Sequence, residues 1–173
     1  MKDNNFGSTK ARPTSRKKIR NFTAMLRENF LTDPNSKIKI IDFLERTADV
    51  LGINYEIVQD KDLPNNYAET DLNKRLIRFR ESVYIGAVED DPRDRFTVAH
   101  EIGHCLLHAV ENGVKLCRND EEIKIYENPE WQASTFAAEF LVPYGSSRTL
   151  SEEEIREKFS VSKKVANIQK NCK

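Results

Sequence analysis

"TVAHEIGHCLLH", residues 97–108, is the stretch on which the fold turns. It holds all three histidines of the chain, and His100 and His104 stand four residues apart. Just upstream, Asp91 suits an N-cap, Pro92 the first helical position, and Asp94 adds negative charge to the first turn. The spacing predicts a helix running to about Val110, with Gly113 near its end. Phe96, Ala99, Ile102 and Leu106 recur as the buried face of such a helix. His100 and His104 then project to one side, where two imidazoles can share one ion at Zn–N distances of about 2.0–2.1 Å. Glu101 neighbours the first of them, placed to take a proton from bound water rather than to ligate. Gly103 costs about 1 kcal/mol relative to Ala inside a helix. Its bare backbone would let another chain segment or a substrate strand come close there.

Two imidazoles leave a tetrahedral ion short, and a catalytic site wants a third protein ligand plus water. His108 lies two turns beyond His100, about 12 Å along the axis, too far to join the same ion. It reads as a residue that braces a ligand or touches substrate, or as a plain cation at the helix end. A carboxylate must then complete the set. The candidates are Glu130, Glu139 and the run Asp120-Glu121-Glu122.

Glu130 falls in the first turn of a second helix, with Asn128 as cap and Pro129 at its first position, running through "EWQASTFAAEFLV" to Pro143. Phe136, Ala137 and Phe140 would face the core. Earlier in the chain, a short helix is predicted over residues 21–34. Another starts after Ser36, carries Ile41, Leu44, Ala48 and Leu51 at helical spacing, and ends at Gly52. Ile53–Val58 alternates as a strand, and Tyr67–Arg80 reads as a hairpin around Asp71–Lys74. Ile77 and Phe79 share one face of that hairpin, Arg78 and Arg80 the other. A loop or short strand is expected over 114–126. The C-terminal stretch carries a capping box at Ser151 and Glu154 and a further cap at Ser162, so residues 146–173 are expected to form a small helical cap.

Composition sets limits. Formal net charge is zero, which excludes a global attraction to nucleic acid or acidic membranes. Basic residues nonetheless crowd the first 30 positions, from Lys2 to Arg27, and residues 1–20 read as a disordered basic tail ahead of one domain spanning 21–173. No run approaches the roughly 18 apolar residues of a membrane span. The start lacks an apolar signal-like core, and Cys105, Cys117 and Cys172 are odd in number and irregular in spacing. A cytoplasmic protein with reduced thiols is the expectation.

"RFTVAHEIGHCLLH" followed by "EWQASTFAAEFLVP" resembles the ImmA/IrrE-like zinc metallopeptidases, over roughly residues 36–170. The resemblance implies an α+β fold: a small three-stranded sheet packed on a mostly helical zincin-like core, with an HExxH helix and a following ligand helix. It implies one catalytic Zn²⁺, with Mn²⁺ or Fe²⁺ as substitutes, held by His100, His104 and Glu130, and Glu101 as general base. The family often has Asn or Asp where this chain has Ser134, so any brace that residue gives a ligand histidine is weaker here. A donor for the oxyanion is sought among His108, Tyr126 and Tyr144. The implied role is a regulatory endopeptidase whose protein substrate is a helix-turn-helix DNA-binding repressor, with no membrane and no direct nucleic-acid partner. The rival reading is a non-catalytic zinc-containing regulator that binds a repressor or DNA. A closed structural site wants four protein ligands, and Glu101 would have no task in it.

Overall fold

A computed structural model describes residues 9–109, 115–116 and 123–172 of the 173. The helix α4 (Pro92–His108) is its axis. Asp91 caps it, accepting from the backbone N–H groups of Arg93 and Asp94 at 2.9 and 3.0 Å, and Pro92 opens the first turn. Helix α5 (Pro129–Leu141) begins with the same grammar: Asn128 accepts from Glu130 and Trp131 at 2.9 and 3.1 Å. α5 is the principal packing partner of α4. Phe136, Ala137 and Phe140 turn inward, fully buried.

Around this pair stand α1 (Arg16–Phe30), packed on α5, and α2 (Ile40–Leu51), packed on α4. Lys39, not Ser36, occupies the cap position of α2. The Ser36 hydroxyl donates instead to the Asp33 carbonyl. Gly52 ends α2 in the left-handed region, φ 63°, where a residue without Cβ carries no strain.

The sheet is three-stranded, in the order β2 (Asn54–Val58), β4 (Leu76–Arg80), β3 (Ala68–Asp71). β3 and β4 form the expected antiparallel hairpin, with the Asp71 carboxylate accepting from Asn73 and Lys74 in its turn. β2 joins β4 in parallel, which leaves β4 central and β3 on the margin beside α4. Ile77 and Phe79 enter the core with no exposure. On the opposite face Arg78 reaches Glu69 at 2.8 Å and Glu56 at 3.7 Å, its partners in the register on either side. The fold is thus α+β as expected, mostly helical with a small mixed sheet.

Two helices emerge that sequence periodicity does not isolate. α3 (Glu81–Val88) follows β4 directly and α6 (Tyr144–Thr149) follows α5. Both are short, and apolar residues are scattered around α3 rather than gathered on one stripe. α7 (Glu152–Phe159) shows the full Ser151–Glu154 capping box, and α8 (Lys163–Asn171) is capped by Ser162. No helix among the described residues is long and apolar enough to cross a membrane.

The expected disordered tail over residues 1–20 is corrected from residue 9 onward. β1 (Thr9–Lys10) pairs antiparallel with β5 (Lys115–Leu116), Ala11 and Thr14 donate to the Glu127 and Tyr126 carbonyls, and α1 starts at Arg16. The cause is a buried carboxylate. Glu139, whose side chain has no exposure, accepts from Arg16 at 2.6 Å and from Arg20 at 3.1 Å. The basic cluster therefore neutralises an acid in the core rather than sitting in solvent. Ile19, also buried, completes the anchor. Residues 1–8 lie outside the described residues, as do 110–114 and 117–122, with Gly113, Cys117 and the Asp120-Glu121-Glu122 run.

Gly103 is where α4 and α5 touch. A Cβ there would meet Phe136 Cδ1 at 2.9 Å and Phe136 Cβ at 3.2 Å, so rotating the ring alone does not make room. Overpacking costs about 1–3 kcal/mol and the helix-propensity gain returns about 1. Gly103→Ala is expected to lower the thermal midpoint by about 2–6 °C, read by calorimetry, despite replacing the poorer helix former.

Candidate metal centre

His100, Glu101 and His104 come from consecutive turns of α4, and Glu130 from the first turn of α5. Glu130 Oε2 lies 3.2 Å from His100 Nε2, and Oε1 lies 3.2 Å from His104 Nε2. The two Nε2 atoms are 3.0 Å apart. One ligand atom from each of the three residues falls within 4.8 Å of the others, and this is the group of that kind found among the described residues. Both imidazoles are buried, while the Glu130 side chain keeps 32 % of its exposure, so the cluster opens to solvent on the carboxylate side.

The donor set fits a divalent cation. Glu130 Oε1 is buried and has no hydrogen-bond partner, although His104 Nε2 is near. An acceptor so placed wants a positive charge, not another lone pair. Burial pushes the Glu130 carboxyl up, but the adjoining His100 and His104 rings outweigh it, and it is held well below the usual carboxylate range.

The protons behind the histidines can be assigned from their partners. Gln132 Nε2 donates to the Arg12 carbonyl at 2.9 Å and to the Tyr126 carbonyl at 2.7 Å. Carbonyls only accept, so the amide nitrogen must face them and Oε1 must face His108 Nε2, 2.9 Å away. His108 Nε2 therefore carries the ring proton. Burial and the neighbouring His104 push its pKa down to about 4, against the Gln132 bond that raises it, so the ring is neutral and its Nδ1 is a bare acceptor. His104 Nδ1, 3.1 Å from it, must then be the donor. That leaves His104 Nε2 with a lone pair aimed at Glu130 and His100, the form a metal ligand needs. His100 has a less committed partner. Its Nδ1 meets the Ser134 hydroxyl at 3.3 Å, and a hydroxyl serves as donor or acceptor.

Glu101 is buried at 5 % exposure, and its Oε2 accepts from the Thr70 hydroxyl on β3 at 2.5 Å. Thr70 and Gln132 are contributors that sequence reasoning missed. Each carried a signal. Gln132 stands four residues before Phe136 and eight before Phe140 on an apolar stripe, where a polar group must find partners. Thr70 alternates onto the same face of its strand as buried Ala68.

The remaining candidates separate cleanly. Ser134 meets His100 and His108 meets His104. Tyr126 contributes its backbone carbonyl. Its ring is exposed in the 3-10 turn Ile125–Glu127, near Lys124. Tyr144 sits past the C-terminal end of α5, under the guanidinium groups of Arg20 and Arg148 at 3.6 and 4.6 Å, whereas Glu130 is at the other end of that helix. Glu139, the competing carboxylate, is occupied by Arg16 and Arg20. Cys105 is fully buried with its thiol pushed up to about 12, chiefly by burial, so it offers no thiolate.

A helix bearing two histidines is thus crossed by a helix bearing a carboxylate and flanked by a small sheet, and the three side chains form a group that could hold a metal ion. The chain belongs to the family described as the IrrE N-terminal-like domain, Peptidase M78, which matches residues 53–169. Among solved structures it is similar to a Mycobacterium tuberculosis transcriptional regulator, with a TM-score of 0.55 and 12 % identity. That likeness covers 86 % of this chain and 45 % of the other, so the chain spans under half of that regulator's length. At this identity the likeness concerns fold. No curated protein matches the sequence.

Because Gln132 sets the His104 proton through His108, Gln132→Ala is expected to weaken any divalent-cation binding by the cluster about 10–100-fold in a chelator competition. Imidazole ¹⁵N shifts of the metal-free protein should lose the single His104 tautomer. An unchanged ¹⁵N pattern would contradict the proton assignment.

Proposed function

We propose that the chain is a zinc-dependent metalloendopeptidase of regulatory type, acting on a helix-turn-helix transcriptional repressor. The observation that carries this is the convergence of two imidazole nitrogens and a half-open carboxylate beside a buried, strand-anchored glutamate. Two nitrogens and one carboxylate oxygen with one side open make the donor set of a catalytic zinc site, and Mn²⁺ or Fe²⁺ suit the same donors less well or under different supply. A cation bound there would supply Lewis acidity and lower the pKa of its water toward about 7.

The chain's own residues do the rest. His100 and His104 ligate through Nε2, their Nδ1 atoms tied to Ser134 and His108. Glu101 accepts the proton of the attacking water and returns it to the amine that leaves. The Thr70 hydroxyl holds one of its oxygens, which fixes the other for that transfer. β3, on the margin of the sheet, brings Thr70 to this point.

The regulatory part rests on the family, whose members resemble this chain in both signature helices, and on the similar fold of a protein that is itself a transcriptional regulator. The absence of net charge fits a protein partner better than a nucleic acid.

Purified protein should hold about one equivalent of zinc and cleave the repressor encoded beside it. Glu101→Gln should retain the zinc and lose about 10²–10⁴-fold in kcat/KM. Glu130→Ala should lose metal first, as measured by elemental analysis. Equal cleavage by wild type and Glu101→Gln, or a wild type that takes up no divalent ion, would remove this function and leave a binding protein in its place.

A further inference from the structure

Beside the metal centre lies a cavity of about 550 Å³, inside the roughly 300–1,000 Å³ typical of ligand sites. Its walls are the N-terminal half of α4, the middle of α5 and the face of α8, with Tyr67 at the edge. It is continuous with the centre at three points. The Phe96 ring is one turn ahead of His100, with centroids 6.3 Å apart. Trp131 follows Glu130 in the chain. Ser134, which meets His100, also lines the cavity.

The floor is apolar: Phe96, Trp131, Ala138, Val165 and Ile168. The rim is cationic. Arg93 and Lys164 are both exposed, and among the described residues neither has an ion-pair partner. Arg93 is held in place over the Tyr67 ring at 4.0 Å. Arg93 feels the Asp94 carboxylate beside it in the chain without a close ion pair, and an apolar floor under two exposed cations selects a ligand with a large apolar group and a nearby negative charge.

We propose that this cavity is a substrate subsite that takes a large apolar side chain, aromatic or long aliphatic, from a peptide segment with an acidic residue next to it. The proposal rests on the peptidase reading above and names which peptides that site accepts. α8 thereby becomes a wall of the binding site as well as a terminal cap, with Ile168 and Lys164 as its specificity-determining residues.

Trp131 is the one tryptophan in the chain, so its fluorescence reports occupancy directly. The probes are the blocked peptides acetyl-Phe-Glu-Glu-amide, acetyl-Ala-Glu-Glu-amide and acetyl-Phe-Lys-Lys-amide, titrated into metal-free full-length protein. The Phe-Glu-Glu peptide is expected to give a saturable change. The alanine peptide should bind about tenfold more weakly and the lysine peptide several-fold more weakly. Ile168→Asp and Lys164→Glu are surface changes that preserve the fold. The first should abolish the preference for Phe, and the second should reverse the preference for Glu over Lys. No saturable change with the Phe-Glu-Glu peptide, or one indifferent to both variants, overturns the subsite. Longer versions of the same peptides, given to zinc-loaded protein, separate the two claims. Binding without hydrolysis removes the peptidase reading and supports the subsite. Hydrolysis at equal rates for the Phe and Ala sequences removes the subsite alone.

Discussion

The contact between Gly103 and Phe136 governs everything else. Two helices approach closely only where one of them lacks a side chain, and here that point lies between the two ligand histidines. With α4 and α5 held together at this crossing, the first turn of α5 is carried to the imidazoles and Glu130 arrives at both. An added methyl group would act on the position of the carboxylate through the ring of Phe136, without touching a ligand. The helix-propensity cost of glycine is therefore spent on registering one helix against the other.

The second constraint is neutralisation. Buried and half-buried acids stand in polar or ionic company: Glu101 with Thr70, Glu127 with Lys10, Glu130 with the histidines, and Glu139 with Arg16 and Arg20. Two buried arginines are handled the same way. Arg27 gives its guanidinium to the carbonyls of Pro34, Ser36 and Phe140, and Arg95 to those of Ile38 and Phe159 and to Asp90. These groups stitch loops to helices, and each uses acceptors that would otherwise be buried without a donor. Among the described residues Glu130 Oε1, in the candidate metal centre, is a buried side-chain acceptor without a donor, while Arg95 Nε is a buried donor without an acceptor.

Local chemistry made much of this legible in advance. The caps at Asp91, Asn128, Ser151 and Ser162, the Gly52 stop and the 71–74 turn follow from which side chains can bond a free backbone group, and that is settled within a few residues. The i, i+4 histidines were legible for the same reason, since helix geometry fixes which side they face, whereas spacing left Glu130 as one of several candidate carboxylates and only the family resemblance singled it out. What was not legible depends on contacts across the chain. Arg16 and Arg20 look like solvated charge until Glu139 is found beneath them. Helix α3 has no polar face to betray it. Gln132 seems an ordinary helix residue until the Arg12 and Tyr126 carbonyls converge on its amide.

That convergence bears on the order in which the site matures during synthesis. The carbonyl of Arg12 leaves the ribosome first, the histidines of α4 some ninety residues later, and Gln132 only after a further stretch. A nascent chain that has formed α4 but not α5 has rings whose mobile hydrogen is free to sit on either nitrogen, and a stray ion would find at best a two-point grip. The amide of Gln132, bridging the earliest segment to the latest of the three, closes this choice. The three-residue donor group is thus complete only once α5 has joined α4, and a cation held there would be captured late.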